Sequence, residues 1–527
     1  MMPFADLQSF VAELEKRGQL RRVRAEVDPI LEVTEIADRV MKSPCPEGVQ
    51  GAPPTDPVHG GLGGRALLFE KVRGSSIPLL INAFGSYARI KLALGCEDLE
   101  ALAERLRQLV KPEIPSGLIE KVKKLPDLMK LAGFVPKTVK RGLCQEVVHT
   151  DDADLLSLPI IQCWPGDGDL ASEPPEVGPR ENIVEADGAA GRTGRYVTLA
   201  GIHTRDPDTQ ITNVGMYRIQ VFGPKLAAAH WHVHHDGARI FRKWSARNEP
   251  MPMAIVLGGE PALTYAATCP LPPNVSELLL AGFLNQGGIE LVPCKTIPLD
   301  VPANAEIVIE GYAHHTDRFI EGPFGDHTGF YSLSSPYPVF RVTAITHRRE
   351  PIYPTTIVGK PPMEDYYLGK ATERLFLPLL QMLMPDVIDY HLPMFGAFHN
   401  FAFVKIRKEY PYQARKVIHS IWGAGQMMFS KFIVVVDERV NVHDELEVLF
   451  AVGANVDPRR DTVIVEGPLD VLDHAAPFEG AGGKMGIDAT RKIPGEGMIR
   501  RWPSPLDMSP AVKDKVERRW AELGLDE

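Results

Sequence analysis

Several widespread catalytic signatures are missing from this chain. No Gly-x-Gly-x-x-Gly follows a strand-like run and no Gly-x-x-x-x-Gly-Lys-Ser/Thr occurs, so neither a nicotinamide Rossmann site nor a P-loop has support. No Gly-x-Ser-x-Gly elbow is present, which removes the usual serine-hydrolase reading. Cysteine is sparse: Cys45, Cys96, Cys144, Cys163, Cys269 and Cys294 form no Cys-x-x-Cys pair. That pattern excludes a disulfide framework or a thiolate zinc site and reads as buried free thiols in a reducing compartment. Basic residues are not in excess (58 Lys plus Arg against 68 Asp plus Glu, net charge −10), so wholesale neutralisation of nucleic-acid phosphates is excluded as a role. No run of apolar residues is long enough to span a bilayer. Asp6, Glu13 and Glu15 interrupt the first stretch, so it does not read as a secretory signal. A cytoplasmic protein handling small molecules is the class left standing.

What is present is an ordinary globular composition, 44% hydrophobic and 24% charged, over 527 residues. That length exceeds one core, and two to four domains are expected. Phe4, Leu7, Phe10, Val11 and Leu14 predict an amphipathic helix that Gly18 stops, and a second helix follows from Ile30 to Met41. Short apolar runs at Ala66–Phe69 and Ile77–Phe84 read as strands before a helix from Asp98 to Val110. Residues 1–145 are thus an N-terminal α/β domain with a Lys-rich connector, Pro112–Cys144. From 146 to 348, β-branched and aromatic runs such as Tyr196–Gly201, Thr212–Val221, Ala227–His234 and Glu306–Tyr312 suggest a split or highly curved β-barrel. Between 349 and 490, helices alternate with strands at Ala402–Arg407, Phe432–Val436 and Asp461–Val465, the order of a parallel α/β sheet. Residues 491–527 form a tail with a charged helix, Ala511–Leu523, placed for subunit contact or for solvent. The fold class is α/β multidomain.

Four segments carry residues suited to chemistry. Glu321-Gly-Pro-Phe-Gly-Asp326-His-Thr-Gly329 sets two acids around a glycine turn, and paired acids in unlike environments can divide the roles of anion and proton donor. A loop with two solvated acids is the plain alternative. In Asn213-Val-Gly-Met216-Tyr217-Arg218, a strand would put Asn213 and Tyr217 on one face and Met216 and Arg218 on the other. Arginine there suits a carboxylate, whose geometry its fork matches. His230-Trp231-His232-Val233-His234-His235-Asp236, read as a strand, gathers three imidazoles on one face, as metal or phosphate sites do, or else leads into a helix capped by Asp236. Ser276-Glu277 reads as a helix start whose Glu277 either serves the helix end or offers oxygen to a hard cation.

In this order the segments resemble the UbiD family of reversible decarboxylases that use prenylated FMN. The resemblance covers most of the chain and extends to Ile357–Glu364, Ser430–Asp437 and Lys484–Thr490. It implies that Arg218, Glu321 and Asp326 are the catalytic acid–arginine set, with Asp326 the proton donor and Glu321 paired with Arg218. It implies cofactor contacts from Asn213, Met216, Tyr217, Arg218, His230, Trp231, His232, His235, Asp236 and Glu277. The divalent metal, manganese or another ion, would fall to Asn213, His234 and Glu277, with potassium as a further ion. Losing CO2 from an sp2 carbon needs an electron sink, which the cofactor would supply while the protein orients and moves protons. Burial beside Glu321 is expected to raise the pKa of Asp326.

The implied function is decarboxylation or carboxylation of an aromatic or α,β-unsaturated acid, with a hydroxybenzoate or naphthoate of quinone biosynthesis foremost. Degradation or detoxification of an aromatic acid is the alternative. A flavin prenyltransferase would supply the cofactor, CO2 is the co-product, and the assembly would be a homodimer or homohexamer. The place is the cytoplasm, peripheral to a membrane if the acid is prenylated. The run His-Trp-His-Val-His-His departs from the Arg-Trp-Leu-Ser-His-Arg type of polyprenyl-hydroxybenzoate decarboxylases, and Asp326 replaces the Glu of cinnamate-type members. Rival readings are a flavin-independent oxygenase with metal on His230, His232 and His234, and a non-catalytic carboxylase subunit.

Overall fold

The computed structural model of the chain describes residues 4–46, 52–110, 132–171, 193–398 and 400–525. Residues 112–131 of the expected connector lie outside the described residues. At the start, the helix Leu7–Lys16 forms where Asp6 caps it: its Oδ1 accepts the Ser9 amide at 2.8 Å, and Ser9 answers with its hydroxyl. Leu7, Phe10, Val11 and Leu14 recur every three or four residues and are buried. Behind this helix the strands run in the order Leu20–Val27, Ala66–Val72, Leu79–Ile81 and Tyr353–Thr355. The last of these comes from beyond the central region and pairs parallel with Leu79–Ile81, so the chain returns to tie the two parts together.

The central region is a nine-stranded antiparallel sheet built around two long strands, Ile307–Glu321 and Ser335–His347. Register breaks at Glu310/Gly311 and between Ala313 and Arg318 bend this pair, as bulges do. Among the described residues no pairing joins the end strands, Tyr196–Val197 and Thr212–Met216, so the sheet is open rather than a closed barrel. Ile202, Val221, Ile255, Ile309 and Phe340 share one core with the N-terminal sheet. Each such side chain contributes about 1.5–3 kcal/mol by leaving water. The expected strand Thr212–Val221 is two strands, Thr212–Met216 and Ile219–Gly223, broken at Tyr217 and Arg218.

The C-terminal sheet runs Val387–His391, Phe401–Ile406, Phe432–Asp437, Ala481–Asp488, Thr462–Pro468. Its three inner strands are parallel, but both edge strands are antiparallel, so the sheet is mixed where the alternation of elements suggested an all-parallel one. The helix that leads into this sheet is Glu364–Leu383. Beyond it all, the tail helix Pro510–Arg519 buries no residue, and Ile499 and Leu506 stand fully exposed. Among the described residues no helix is long and apolar enough to cross a membrane.

Candidate functional site

The break between the two strands puts Arg218 at the centre of a buried charge cluster. Its Nε and Nη2 donate to the two oxygens of Glu321 at 2.9 and 3.0 Å, a bidentate pair. Its Nη1 donates to Asp326 Oδ2 at 2.9 Å, and Nη2 also reaches Ser332 Oγ at 2.9 Å. The guanidinium lies over the Phe324 ring, 4.6 Å from its centroid. Glu321 is fully buried, and Asp326 and Arg218 are 6% and 9% exposed. Burial opposes ionisation of Glu321, but Arg218 and His230 outweigh it and hold the carboxyl at about 2. Asp326 departs from expectation. Burial pushes its pKa up, yet His327 and Arg218 together win, and it sits below the ordinary carboxylate range. In the resting protein Asp326 is therefore an anion.

The Glu321–Gly329 segment is shaped by close approach. Phe324–Gly325 pairs with Tyr331–Ser332, and the turn closes with Gly329 at φ +81. A Cβ on Gly325 would run into the Trp164 ring, and one on Gly322 into the backbone of Gly168. Asp167 holds this neighbouring segment: it accepts the amides of Cys163, Trp164 and Gly325 at 3.1, 2.8 and 2.8 Å. Burial pushes Asp167 up to about 7. Sequence reading passed over Trp164, Asp167 and Ser332, because nothing in their local spacing marks them.

The histidine run is not a strand. The strand ends at Ala229, and His230 to His235 turn into the helix Asp236–Ala246, with His235 rather than Asp236 at the cap position. The expected shared face of His230, His232 and His234 therefore does not form. Instead His230 Nδ1 donates to Glu321 Oε2 at 2.6 Å, and His230 and His232 pair through their Nε2 atoms at 2.5 Å. His235 stacks on His232 with centroids 4.7 Å apart. Burial depresses all three, His235 to about 4, so they are neutral; the side-chain hydrogen bonds from Glu321 run through His230 to His232, and His235 Nδ1 accepts the His232 backbone amide at 3.2 Å. His234 is exposed, its ring 5.5 Å from Phe429 of the C-terminal region. Tyr217 accepts the Gly237 amide at 3.2 Å and meets Trp231 edge-on, while Met216 packs on the N-terminal core.

Beside this cluster, Glu277 opens the helix Glu277–Leu284 but turns inward, with Ser276 as the cap. It accepts the Val214 amide at 2.7 Å and Asn213 Nδ2 at 3.1 Å. Asn213 Oδ1 is buried without a hydrogen-bond partner, and burial pushes Glu277 up to about 7. An orphaned amide oxygen beside a carboxylate that lacks a countercharge is a donor set suited to a hard divalent cation. Asn213 also lines a cleft with Thr212, Asp206, Asp236, Arg239 and Asn274. Arg239, ion-paired to Asp236 at 2.7 Å, is the cation nearest this donor pair in the cleft lining.

A second buried cluster was not foreseen. Glu373, His391 and His443 each bring one potential ligand atom within 4.8 Å of the others. A cation already stands there: Lys370 Nζ donates to both Glu373 oxygens at 2.7 Å and to His391 Nδ1 at 2.8 Å.

Comparison with known proteins follows the same lines. Models for the N-terminal, Rift-related and C-terminal domains of 3-octaprenyl-4-hydroxybenzoate carboxy-lyase (UbiD) match residues 11–109, 137–361 and 366–489. A protein of Aquifex aeolicus (strain VF5) is 47% identical over 524 residues, 99% of each chain. The closed form of vanillic acid decarboxylase from Sedimentibacter hydroxybenzoicus superimposes with TM-score 0.81 at 27% identity, covering 100% of both chains. An evolved dimeric form of the UbiD-class enzyme HmfF from Pelotomaculum thermopropionicum, in complex with prFMN, gives TM-score 0.69 at 27% identity over 97% of this chain and 98% of that one. With all three domain models matched in order, the chain belongs to the UbiD family of carboxy-lyases.

Proposed function

We propose that this chain removes or adds a carboxylate on an aromatic or α,β-unsaturated acid with prenylated FMN and a divalent cation such as manganese. The observation that carries the proposal is the buried Arg218–Glu321–Asp326 set beside the Asn213–Glu277 donor pair. Asn213 and Glu277 would hold the metal, with His234 joining from its exposed turn. Met216, Tyr217, Trp231 and the neutral His230, His232 and His235 would wall the flavin, whose role when bound is to accept the electron pair left by CO2. Arg218 stays protonated and fixes both acids. Glu321, ionised and fully buried, aligns Arg218 and His230. Asp326 delivers the proton to carbon. A hydroxybenzoate- or naphthoate-type acid of quinone biosynthesis is the substrate class in keeping with the matched carboxy-lyase models and the vanillate-acting neighbour. The exposed Ile499, Leu506 and tail helix are proposed to be covered by a second copy, giving a homodimer in the cytoplasm.

The test is turnover. Protein co-produced with a flavin prenyltransferase is assayed on 4-hydroxybenzoate, vanillate, 3,4-dihydroxybenzoate and 1,4-dihydroxy-2-naphthoate. At least one acid should lose CO2, and Asp326→Asn should cut that rate by about 10²–10⁴-fold with the flavin retained. Full activity in Asp326→Asn would overturn the assignment of that residue.

A further inference from the structure

Asp326 is placed to protonate carbon, yet the structure leaves it ionised. Its Oδ2 accepts from Arg218 Nη1 at 2.9 Å. Its Oδ1 accepts the backbone amide of His327 at 2.7 Å and forms an ion pair with His327 Nδ1, also at 2.7 Å. A guanidinium does not release its proton in a protein, and a backbone amide does not titrate. Of these three donors, only the imidazole can give the carboxylate a proton.

The imidazole is kept loaded by what surrounds it. Asp365 comes from the first turn of the helix Glu364–Leu383, and Asp470 from the loop after Thr462–Pro468. Phe398 packs edge-on, 5.1 Å between centroids. Burial alone would discharge His327, but Asp326, Asp365 and Asp470 outweigh it and lift the ring to about 9. Asp365 is itself pushed up to about 7 by burial. His327 is 12% exposed against 6% for Asp326, so the imidazole is the member of the pair with the readier path to water.

We infer that His327 is the proton-loading partner of Asp326, handing its Nδ1 proton to the carboxylate, which passes it to the substrate carbon as CO2 leaves. This rests on the decarboxylase reading above. The bond from ring carbon to carboxylate breaks and leaves its electron pair behind. A C–H bond forms with the Asp326 proton, the Asp326 O–H having been made from His327 Nδ1–H. His327 ends neutral and regains a proton from water, so one acid anion and one proton give one decarboxylated product and one CO2. His327 acts through Asp326 and is a positioning and relay residue.

His327→Gln separates relay from scaffold, because glutamine can still donate a hydrogen bond to Oδ1 but has no titratable proton. In flavin-loaded enzyme, His327→Gln should lower turnover at pH 7.5 by about 10²-fold. The basic limb of the wild-type kcat profile should lie near 9, where His327 gives up its proton. In the variant it should move at least about three pH units toward acid, since Asp326 must then carry its own proton. An unmoved limb would overturn the inference. A second arm needs no substrate: 13C-histidine NMR of the purified protein, with His327 assigned through the Gln variant. The ring should stay protonated until near pH 9 in wild type and titrate about two pH units lower in Asp326→Asn. Titration near the ordinary histidine value in wild type would overturn the relay whatever the turnover. Absence of turnover with every acid, alongside a high titration, would instead count against the decarboxylase reading alone.

Discussion

Replacing Arg218 by methionine should be among the most costly single changes in this protein. The substitution keeps side-chain bulk but strips Glu321, 0% exposed, of its guanidinium and leaves Asp326, 6% exposed, with His327 as its counter-charge. Two routes give the magnitude. Breaking a buried pair by removing one partner costs about 3–5 kcal/mol, because the other charge is left unpaired. Independently, Glu321 is held at about 2 against an ordinary 4.5, which at ~1.4 kcal/mol per pH unit is about 3 kcal/mol. The sign follows from the depressed pKa. That stability is fully present above pH 4.5 and is lost as pH falls toward 2. A chain of several domains does not unfold in one step, so the local opening free energy should be read by hydrogen exchange at the amides of Ile219–Gly223, next to Arg218. A double-mutant cycle of Arg218→Met with Glu321→Gln at pH 7 should give a coupling of about 3 kcal/mol. A coupling below about 1 kcal/mol, the value of a solvent-exposed pair, would refute the reasoning.

Other perturbations test separate parts of the account. Gly325→Ala should force the Trp164 ring aside, costing about 1–3 kcal/mol and changing tryptophan fluorescence; an unchanged spectrum and melting point would contradict the close approach. His203 is fully buried with both ring nitrogens unpartnered, and burial depresses it to about 3. The unfolded chain therefore binds the extra proton, and stability should fall as pH drops below 6.5, by about 2 kcal/mol at pH 5. His203→Phe should flatten that part of the pH–stability curve, and a slope as steep as wild type would exclude His203 as its source. Lys370→Met should destabilise by about 3 kcal/mol, because it removes one of the two cations paired with buried Glu373 and leaves Arg374, 3.1 Å away, as the other; a single variant as stable as wild type would refute this.

The sequence made the architecture legible where periodicity is strong. The helices Leu7–Lys16 and Gln413–Trp422 fall where their apolar residues repeat, and the α/β class of the chain follows from the order of elements. Strand direction was another matter: the antiparallel edges of the C-terminal sheet depend on long-range pairing that local alternation does not encode. The same limit applies to the histidine run, where alternation suggested a strand but the tie from His230 to Glu321, 91 residues away in sequence, turns the chain instead. The acids and Arg218 could be nominated from their motifs. The protonation state of Asp326 could not, because it is decided by His327, a neighbour that looks like loop filler until its ring is seen 2.7 Å from the carboxylate. Asp167 and the Lys370 cluster stayed hidden because their partners come from distant elements.

The most direct test of the central claim is native mass spectrometry with absorbance spectroscopy on protein co-produced with a flavin prenyltransferase and supplied with manganese. The account predicts one prenylated FMN and one manganese ion per chain, both lost or weakened in Glu277→Ala. Folded wild-type protein that carries neither flavin mass nor flavin absorbance would contradict it.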